Sequence, residues 1–290
     1  MKISGFTFVR NGTILGYPYI ESIQSLLNLC DEVIVAVGSS DDDTLINIKN
    51  LNSPKLKIIE TQWNEVMSDR GYTYAQQKLI AQFNCTGDWA FYLECDEIIH
   101  EKDIELIKKS MLDNLYNLEV ESFIFNYYHF YGNINTIAYS PRWYRKAPRI
   151  IRNNIRSWAP DGLFWLVMDE NKKGRYPKAK LIDCYLYHYG HVRLIEKMNE
   201  KNKRVQKYWG NTPSYFNSYG NIDSSTLYQF TATHPNIIKN WLLTYAEQHF
   251  SPNKDYKLSS REKKHRVMLL INKFLKIDID WSKKHYTLVK

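Results

Sequence analysis

Cysteine is scarce in this chain of 290 residues: Cys30, Cys85, Cys95 and Cys184 are scattered, and no Cys-x-x-Cys pair occurs. That spacing excludes a zinc ribbon or a disulfide frame and fits free thiols in a reducing cytoplasm. Long apolar runs are missing too. None approaches the roughly 20 residues of a membrane-spanning helix, and a strand begins directly after Met1. The expectation is a soluble, cytoplasmic protein without a cleaved signal. Neither Gly-x-Gly-x-x-Gly nor Gly-x-x-x-x-Gly-Lys-Ser/Thr occurs, which sets aside dinucleotide redox enzymes and P-loop phosphotransferases. Internal repeats and low-complexity segments are absent.

What is there is a globular composition, 44% hydrophobic and 24% charged, with room for one large α/β domain with appendages or two small domains. The 22 Tyr and 8 Trp serve a core as readily as they stack on bases or sugar rings. The net charge of +8 is unevenly spread: residues 251–290 carry eleven Lys/Arg against four Asp/Glu, a surplus of seven that leaves the first 250 residues at +1. A body that close to neutral argues against nucleic acid as a partner.

The pattern alternates strands with helices. Residues 2–9 read as a strand that runs into the polar loop Arg10-Asn11-Gly12, and residues 19–30 have helical spacing. Residues 33–37 form a buried strand ending in Gly38-Ser39-Ser40-Asp41-Asp42-Asp43. Its small residues would let the backbone approach a ligand, and its acids could take ribose hydroxyls or cap the helix at 45–51. A strand at 56–60, a helix at 70–83 carrying Arg70, Gln77 and Lys78, and a strand at 89–93 follow. The alternation predicts a parallel, doubly wound sheet.

The fourth strand ends in a cluster of acids: Glu94, Asp96 and Glu97. Open α/β sheets place ligand chemistry at this end of their strands. Clustered carboxylates there need a cation or donors to compensate them, and a hard divalent ion bridging to phosphate oxygens would do so. The alternative is a solvated acidic turn before a helix at 101–115. Beyond a strand at 121–131, residues 141–156 hold six basic side chains interleaved with aromatics. Arginines such as Arg149 and Arg152 could face a diphosphate, or the stretch could be a solvated strand face. A last strand at 181–187 leads into His188-Tyr189-Gly190-His191, where His188 could be a metal ligand or a buried, hydrogen-bonded histidine. A polar helix at 194–209, a loop at 210–225 read as a lid, a helix from 233 to 250 and an amphipathic helix at 260–277 complete the chain. The last would by default dock on its own domain; attachment to an anionic membrane surface is the alternative.

Taken together, residues 6–11, 31–44, 89–101, 142–153, 187–193 and 233–235 resemble the bacterial and viral branch of the family 2-like glycosyltransferases with the GT-A fold, over roughly residues 2–250. The resemblance implies a three-layer α/β sandwich with a mostly parallel central sheet. Residues 1–193 would be the nucleotide-sugar-binding and catalytic core, and 194–290 a helical extension packed on it, ending in a basic amphipathic tail. It also implies a nucleoside-diphosphate sugar, UDP- or GDP-linked, a glycan or lipid-linked acceptor, and Mn2+ or Mg2+. Phe8, Val9, Arg10, Asn11, Gly38, Ser39, Asp41, Asp43, Arg70 and Gln77 would then serve the donor. Glu94-Cys95-Asp96 matches the Asp-x-Asp-type motif with Glu in its first place; Asp96 would be the metal ligand, joined by His188. Arg149, Arg152 and Arg193 would lie on the diphosphate and acceptor side.

Departure of a nucleoside diphosphate builds charge on its oxygens, which a divalent cation and arginines stabilise. Inverting transfer also needs a carboxylate to take the acceptor's proton. The resemblance places that base between the fifth strand and the His188 strand, where Asp161 is the choice and Asp169 and Glu170 the alternates. Two rival readings remain: a sugar-phosphate nucleotidyltransferase, for which residues 10–12 are poor in glycine and lysine, and a nucleotide- or carbohydrate-binding protein without catalysis.

Overall fold

In chain order the computed structural model contains β1 (Ile3–Val9), α1 (Tyr19–Leu29), β2 (Glu32–Gly38), α2 (Thr44–Lys49), β3 (Leu56–Thr61), α3 (Tyr72–Gln82), β4 (Trp89–Tyr92), β5 (Glu97–Ile99) and α4 (Ile104–Asp113). There follow β6 (Ser122–Tyr131), β7 (Thr136–Ala138), β8 (Lys146–Arg152), β9 (Ser157–Trp158), β10 (Leu166–Met168), β11 (Gly174–Arg175) and β12 (Lys178–His191). The chain closes with α5 (Ile195–Val205), β13 (Leu227–Gln229), α6 (Lys239–Leu243), α7 (Ser260–Leu275) and β14 (Thr287–Leu288). The structure describes residues 1–67, 69–277 and 279–289.

All seven residues of β1 are buried, because β2 and β4 flank it and helices cover both of its faces. The strand side chains sort by alternation. Trp89 and Phe91 of β4 join Val33, Val35 and Val37 of β2 in a core under α1 and α4. Ala90 and Tyr92 join Phe6, Phe8, Ile34 and Ala36 in a second core under α3. The result is the expected helix–sheet–helix sandwich. β3, β2, β1 and β4 are parallel, whereas β8 runs antiparallel to both β4 and β6. The doubly wound parallel pattern thus holds for the first half of the sheet only.

β12 is longer than expected. It pairs in parallel with β6 across two register shifts, between Ile182 and Tyr185 and between His188 and His191, and in antiparallel fashion with the short β5. Its length carries His188 inside the strand and sets it opposite Glu97 in the register.

The C-terminal segment is not purely helical. β13 pairs with β7, and β14 pairs with the start of β12. The helix expected at 233–250 shrinks to a 3-10 turn and the five residues of α6. Beyond it the chain is pinned elsewhere: Tyr245 packs in the aromatic cluster of Phe130, Tyr187 and Tyr189, and the Gln248 amide donates to the carbonyls of Gly132 and Arg193. Residues 210–225 strap α5 rather than cover a cleft, through Asn199 bonded to Phe216 and Tyr219 bonded to the Arg193 carbonyl.

α7 starts with a full capping box between Ser259 and Glu262 and is tethered by Arg266 to Asp223. Docking of its apolar face does not occur: no residue of α7 is buried, and Val267, Leu270, Ile271 and Phe274 are exposed. These four positions share one helix face at i, i+3, i+4 and i+7 spacing.

Candidate donor and metal site

The carboxyl ends of β1 and β4 open into a cleft of about 240 Å3. Its floor is Phe8, Val9, Arg10 and Asn11, and its far end is Glu94, Cys95, Asp96 and His188. Asn11 takes a left-handed backbone (φ 55°), which asparagine tolerates, and its side-chain oxygen accepts from the Asp41 amide at 2.7 Å. Asp42 receives the amides of Ile14 and Thr44 and so ties the first loop to the start of α2. Asp42 was not singled out in the sequence, although it holds the loop that Asp41 and Asp43 flank.

Aromatic rings line the cleft: Trp63, Tyr74, Tyr92, Tyr208 and Trp209. Trp63 is the hub, with ring centroids 5.3 Å from Tyr74 and 5.2 Å from Tyr208. A Cβ on Gly38 would sit 2.3 Å from the Trp63 indole nitrogen, so Gly38 makes room for Trp63 and not for a ligand directly. The cover of the cleft is the end of α5 and the turn after it. Arg204 pairs with Asp41 at 2.6 Å, Lys207 with Glu65, and the Tyr208 carbonyl accepts from the Gly71 amide at 2.7 Å. Arg10 pairs with the same Glu65 and donates to the Tyr208 hydroxyl at 2.9 Å. This segment, not 210–225, occupies the position of a lid.

Several expected donor residues stand away from the cleft lining. The Arg70 side chain is 93% exposed. Gln77 is buried and accepts from the Thr61 hydroxyl across to β3. Ser39 offers its carbonyl to Arg10, and Asp43 sits outside as the residue before α2. Lys78, one position on, has its ammonium 4.0 Å from the ring centroids of both Tyr92 and Trp165 and no hydrogen-bond partner. Burial holds its pKa well below the ordinary lysine value.

The acid cluster is a built structure. Arg149 is fully buried and donates to Glu97 at 2.7 and 2.8 Å and to Glu94 at 2.8 Å. It is therefore an internal counter-ion, not the free diphosphate contact the sequence suggested. Arg152 is structural as well, donating to the carbonyls of Asn114, Leu115, Asn117 and Val120. Arg193 does reach the site: it donates to Asp96 at 3.0 Å and stacks on Tyr17 at 4.0 Å.

One oxygen or nitrogen from each of Glu94, Asp96 and His188 lies within 4.8 Å of the others, a grouping that fits a divalent ion. Two carboxylates and an imidazole suit Mn2+ or Mg2+. Burial and the neighbouring Glu97 push the Glu94 carboxyl up to about 7 against the pull of Arg149, an expense that a bound cation would remove. Burial also opposes the charge on Asp96, but His188, Lys201 and Arg193 hold its pKa below the usual range. Gly190 completes the geometry, since a Cβ there would meet the His188 ring at 2.4 Å and Asp96 at 2.9 Å.

His188 is oriented from behind. Its Nδ1 lies 2.9 Å from Nδ1 of His129, whose Nε2 lies 2.7 Å from the Tyr144 carbonyl. A carbonyl only accepts, so His129 carries its proton on Nε2 and accepts through Nδ1. His188 must then be the Nδ1–H donor, which leaves its Nε2 lone pair facing Asp96 at 3.6 Å. Burial lowers the pKa of both rings, at His188 against the pull of Asp96.

Lys201 was missed in the sequence because nothing in a polar helix marks one lysine among several. It lines the cleft, and burial together with Arg193 brings its pKa down to about 8. Of the expected bases, Asp161 is adjacent to the cleft: its neighbours Gly162 and Leu163 line it, and its carboxylate accepts from the Leu163 amide at 2.9 Å. Asp169 instead ties the β10–β11 turn through the Lys173 amide, and the exposed Glu170 lies in the same turn. Neither lines the cleft, because the hairpin carries them away from it.

No protein-family model matches this chain. An uncharacterised glycosyltransferase of Rickettsia typhi is 26% identical over 210 residues, spanning 69% of this chain and 64% of the relative. A second, from Rickettsia prowazekii, is similar to the same extent. The chain thus spans 64% of the length of these curated relatives. Among solved structures, Staphylococcus aureus TarS aligns over 70% of this chain and 38% of its own at 16% identity, with a TM-score of 0.40. The Pyrobaculum calidifontis mannosyltransferase PcManGT, solved with GDP-Man and Mn2+, aligns over 43% and 34% at 18% identity, with a TM-score of 0.32.

The fold is a mixed α/β sandwich whose central sheet is parallel through β3, β2, β1 and β4. In sequence the chain is similar to these rickettsial proteins named as glycosyltransferases over about two thirds of its own length.

Proposed function

We propose that this protein is a metal-dependent, inverting glycosyltransferase that moves a sugar from a UDP- or GDP-linked donor to a glycan or lipid-linked acceptor at the cytoplasmic side of a membrane. The observation that carries this reading is the convergence of Glu94, Asp96 and His188 at the end of an aromatic cleft. Trp63, Tyr74 and Tyr208 offer rings for a nucleobase, and Lys201 and Arg204 offer cations toward a diphosphate. Asp96 and His188, with Glu94, would hold Mn2+ or Mg2+, which when bound supplies Lewis-acid stabilisation of the departing diphosphate.

In the transfer, the acceptor hydroxyl oxygen bonds to the anomeric carbon while the bond from that carbon to the diphosphate oxygen breaks. The electron pair leaves with the nucleoside diphosphate, and the hydroxyl proton passes to Asp161. Thermal stabilisation by a panel of nucleotides, each with and without Mn2+, tests the reading on the wild type and on Asp96→Asn. A metal-requiring shift with one nucleoside diphosphate, lost in the variant, is expected. A shift confined to triphosphates would move the assignment to a nucleotidyltransferase. No helix among the described residues is long and apolar enough to cross a membrane. The exposed apolar face of α7, within the basic tail, supports peripheral contact with anionic lipid.

A further inference from the structure

A second cavity, of about 460 Å3, lies between the loop leading into β8, the first half of α7 and residues 281–285. It meets the donor cleft at Glu94 and Leu163, which line both. Arg142 and Lys146 enter it from the core, Arg261 and Lys264 from α7, and Lys283 from the tail. None of these five cations is in an ion pair among the described residues. The contrast with the rest of the chain is pointed, because Arg149, Arg175, Arg193, Arg204 and Arg266 each have a carboxylate partner.

Glu94, the acid in the lining, is bonded to Arg149, and the nearby Glu262 is bonded within its own capping box. Burial depresses the pKa of the two imidazoles in the lining; Arg261 adds to this at His265, and Lys283 adds to it at His285. Positive charge converging from three separate segments is repulsive unless an anion occupies the space between.

We propose that this cavity is the acceptor subsite and that it takes an acceptor bearing a phosphate or diphosphate group. The assignment rests on the transferase reading for the acceptor's role, but the anion site itself does not. Its opening onto Glu94 lets a hydroxyl of the bound molecule reach the donor cleft while the phosphate stays among the cations. The phosphate could belong to a prenyl carrier or to a soluble polyol phosphate.

Trp281 lines the cavity and reports on it. Its fluorescence would be followed, beside calorimetry, during titrations with inorganic pyrophosphate, glycerol 3-phosphate and geranyl diphosphate. EDTA is present throughout, so that the metal site holds none of them. Saturable binding is expected, weakened by roughly tenfold or more in Lys264→Glu/Lys283→Glu, while Mn2+-dependent nucleoside-diphosphate binding persists as proof of folding. Were that variant unfolded, Lys264→Gln and Lys283→Gln singly would carry the comparison. Tighter binding of geranyl diphosphate than of glycerol 3-phosphate identifies a lipid-linked source, and the reverse order a soluble one. Absence of binding by all three probes, or binding unchanged in the variants, overturns the proposal. Loss of nucleotide binding in the wild type with anion binding intact would instead remove the transferase reading and leave the anion site standing.

Discussion

The Nδ1 atoms of His129 and His188 lie 2.9 Å apart, on neighbouring strands β6 and β12, and only one of them can carry the proton. The Tyr144 carbonyl decides which, because it demands the His129 proton on Nε2. His188 therefore presents a bare Nε2 to Asp96. Histidines that ligate metals are generally fixed through their other nitrogen in this way. His129→Phe removes the acceptor and frees the His188 tautomer while keeping an aromatic ring in the strand. Mn2+ affinity, measured by calorimetry, should fall by about 10–100-fold with the thermal midpoint little changed. Unaltered affinity would show that the histidine pair does not set the ligand.

Arg149 serves two carboxylates at once, the half-buried Glu94 and the fully buried Glu97. Arg149→Met leaves both without their counter-ion. A loss of about 3–5 kcal/mol in urea unfolding is expected, the range for breaking one partner of a buried pair. Adding Glu97→Gln should recover part of it, since the uncompensated charge is then gone. A mild effect of the single substitution would mean that water reaches the cluster.

Glu32 offers a pH test away from the cleft. Burial would raise its carboxyl pKa, but hydrogen bonds from Ser4, Thr86 and Lys2 outweigh that and bring it down to about 2. Because the folded value lies below the unfolded one near 4.5, the contribution is complete above about pH 4.5 and disappears as pH falls towards 2. Glu32→Gln should therefore be less stable than the wild type at neutral pH, and the gap should narrow through that window. Chemical denaturation at a series of pH values reads it. A gap that stays constant would remove Glu32 from the acid response.

The outward face of α7 is tested with vesicles. Phe274 is 87% exposed, and its neighbours Leu270 and Ile271 are bare as well. Phe274→Glu should abolish co-sedimentation with anionic vesicles and leave nucleotide binding unchanged. Equal sedimentation of variant and wild type would assign this face to some other use.

The four-strand alternation at 3–92 and the acid motif at 94–97 were legible because each is local. A strand buried on both faces must be apolar throughout, and carboxylates after it stand out by charge alone. Asp96 and His188 stand out the same way, as polar residues ending apolar runs, and the structure brings them together with Glu94. Arg149, Arg152 and Gln77 were misread for the complementary reason. A buried arginine and a solvent-facing one look alike in a sequence, and the partner that decides between them lies up to 55 residues away.

By itself, then, the sequence determined the sandwich and pointed to the end of the sheet where Glu94, Asp96 and His188 converge. The tertiary structure decided which charges are spent and which are free. It matched Arg149 to Glu94 and Glu97, set His129 behind His188, and folded residues 201–209 over the aromatic floor. It also left Arg142, Lys146, Arg261, Lys264 and Lys283 around one cavity, none of them in an ion pair among the described residues. The physical reason is range: hydrophobic periodicity acts along a few residues of chain, whereas ion pairs, tautomers and covers depend on segments that meet only when the sheet is complete.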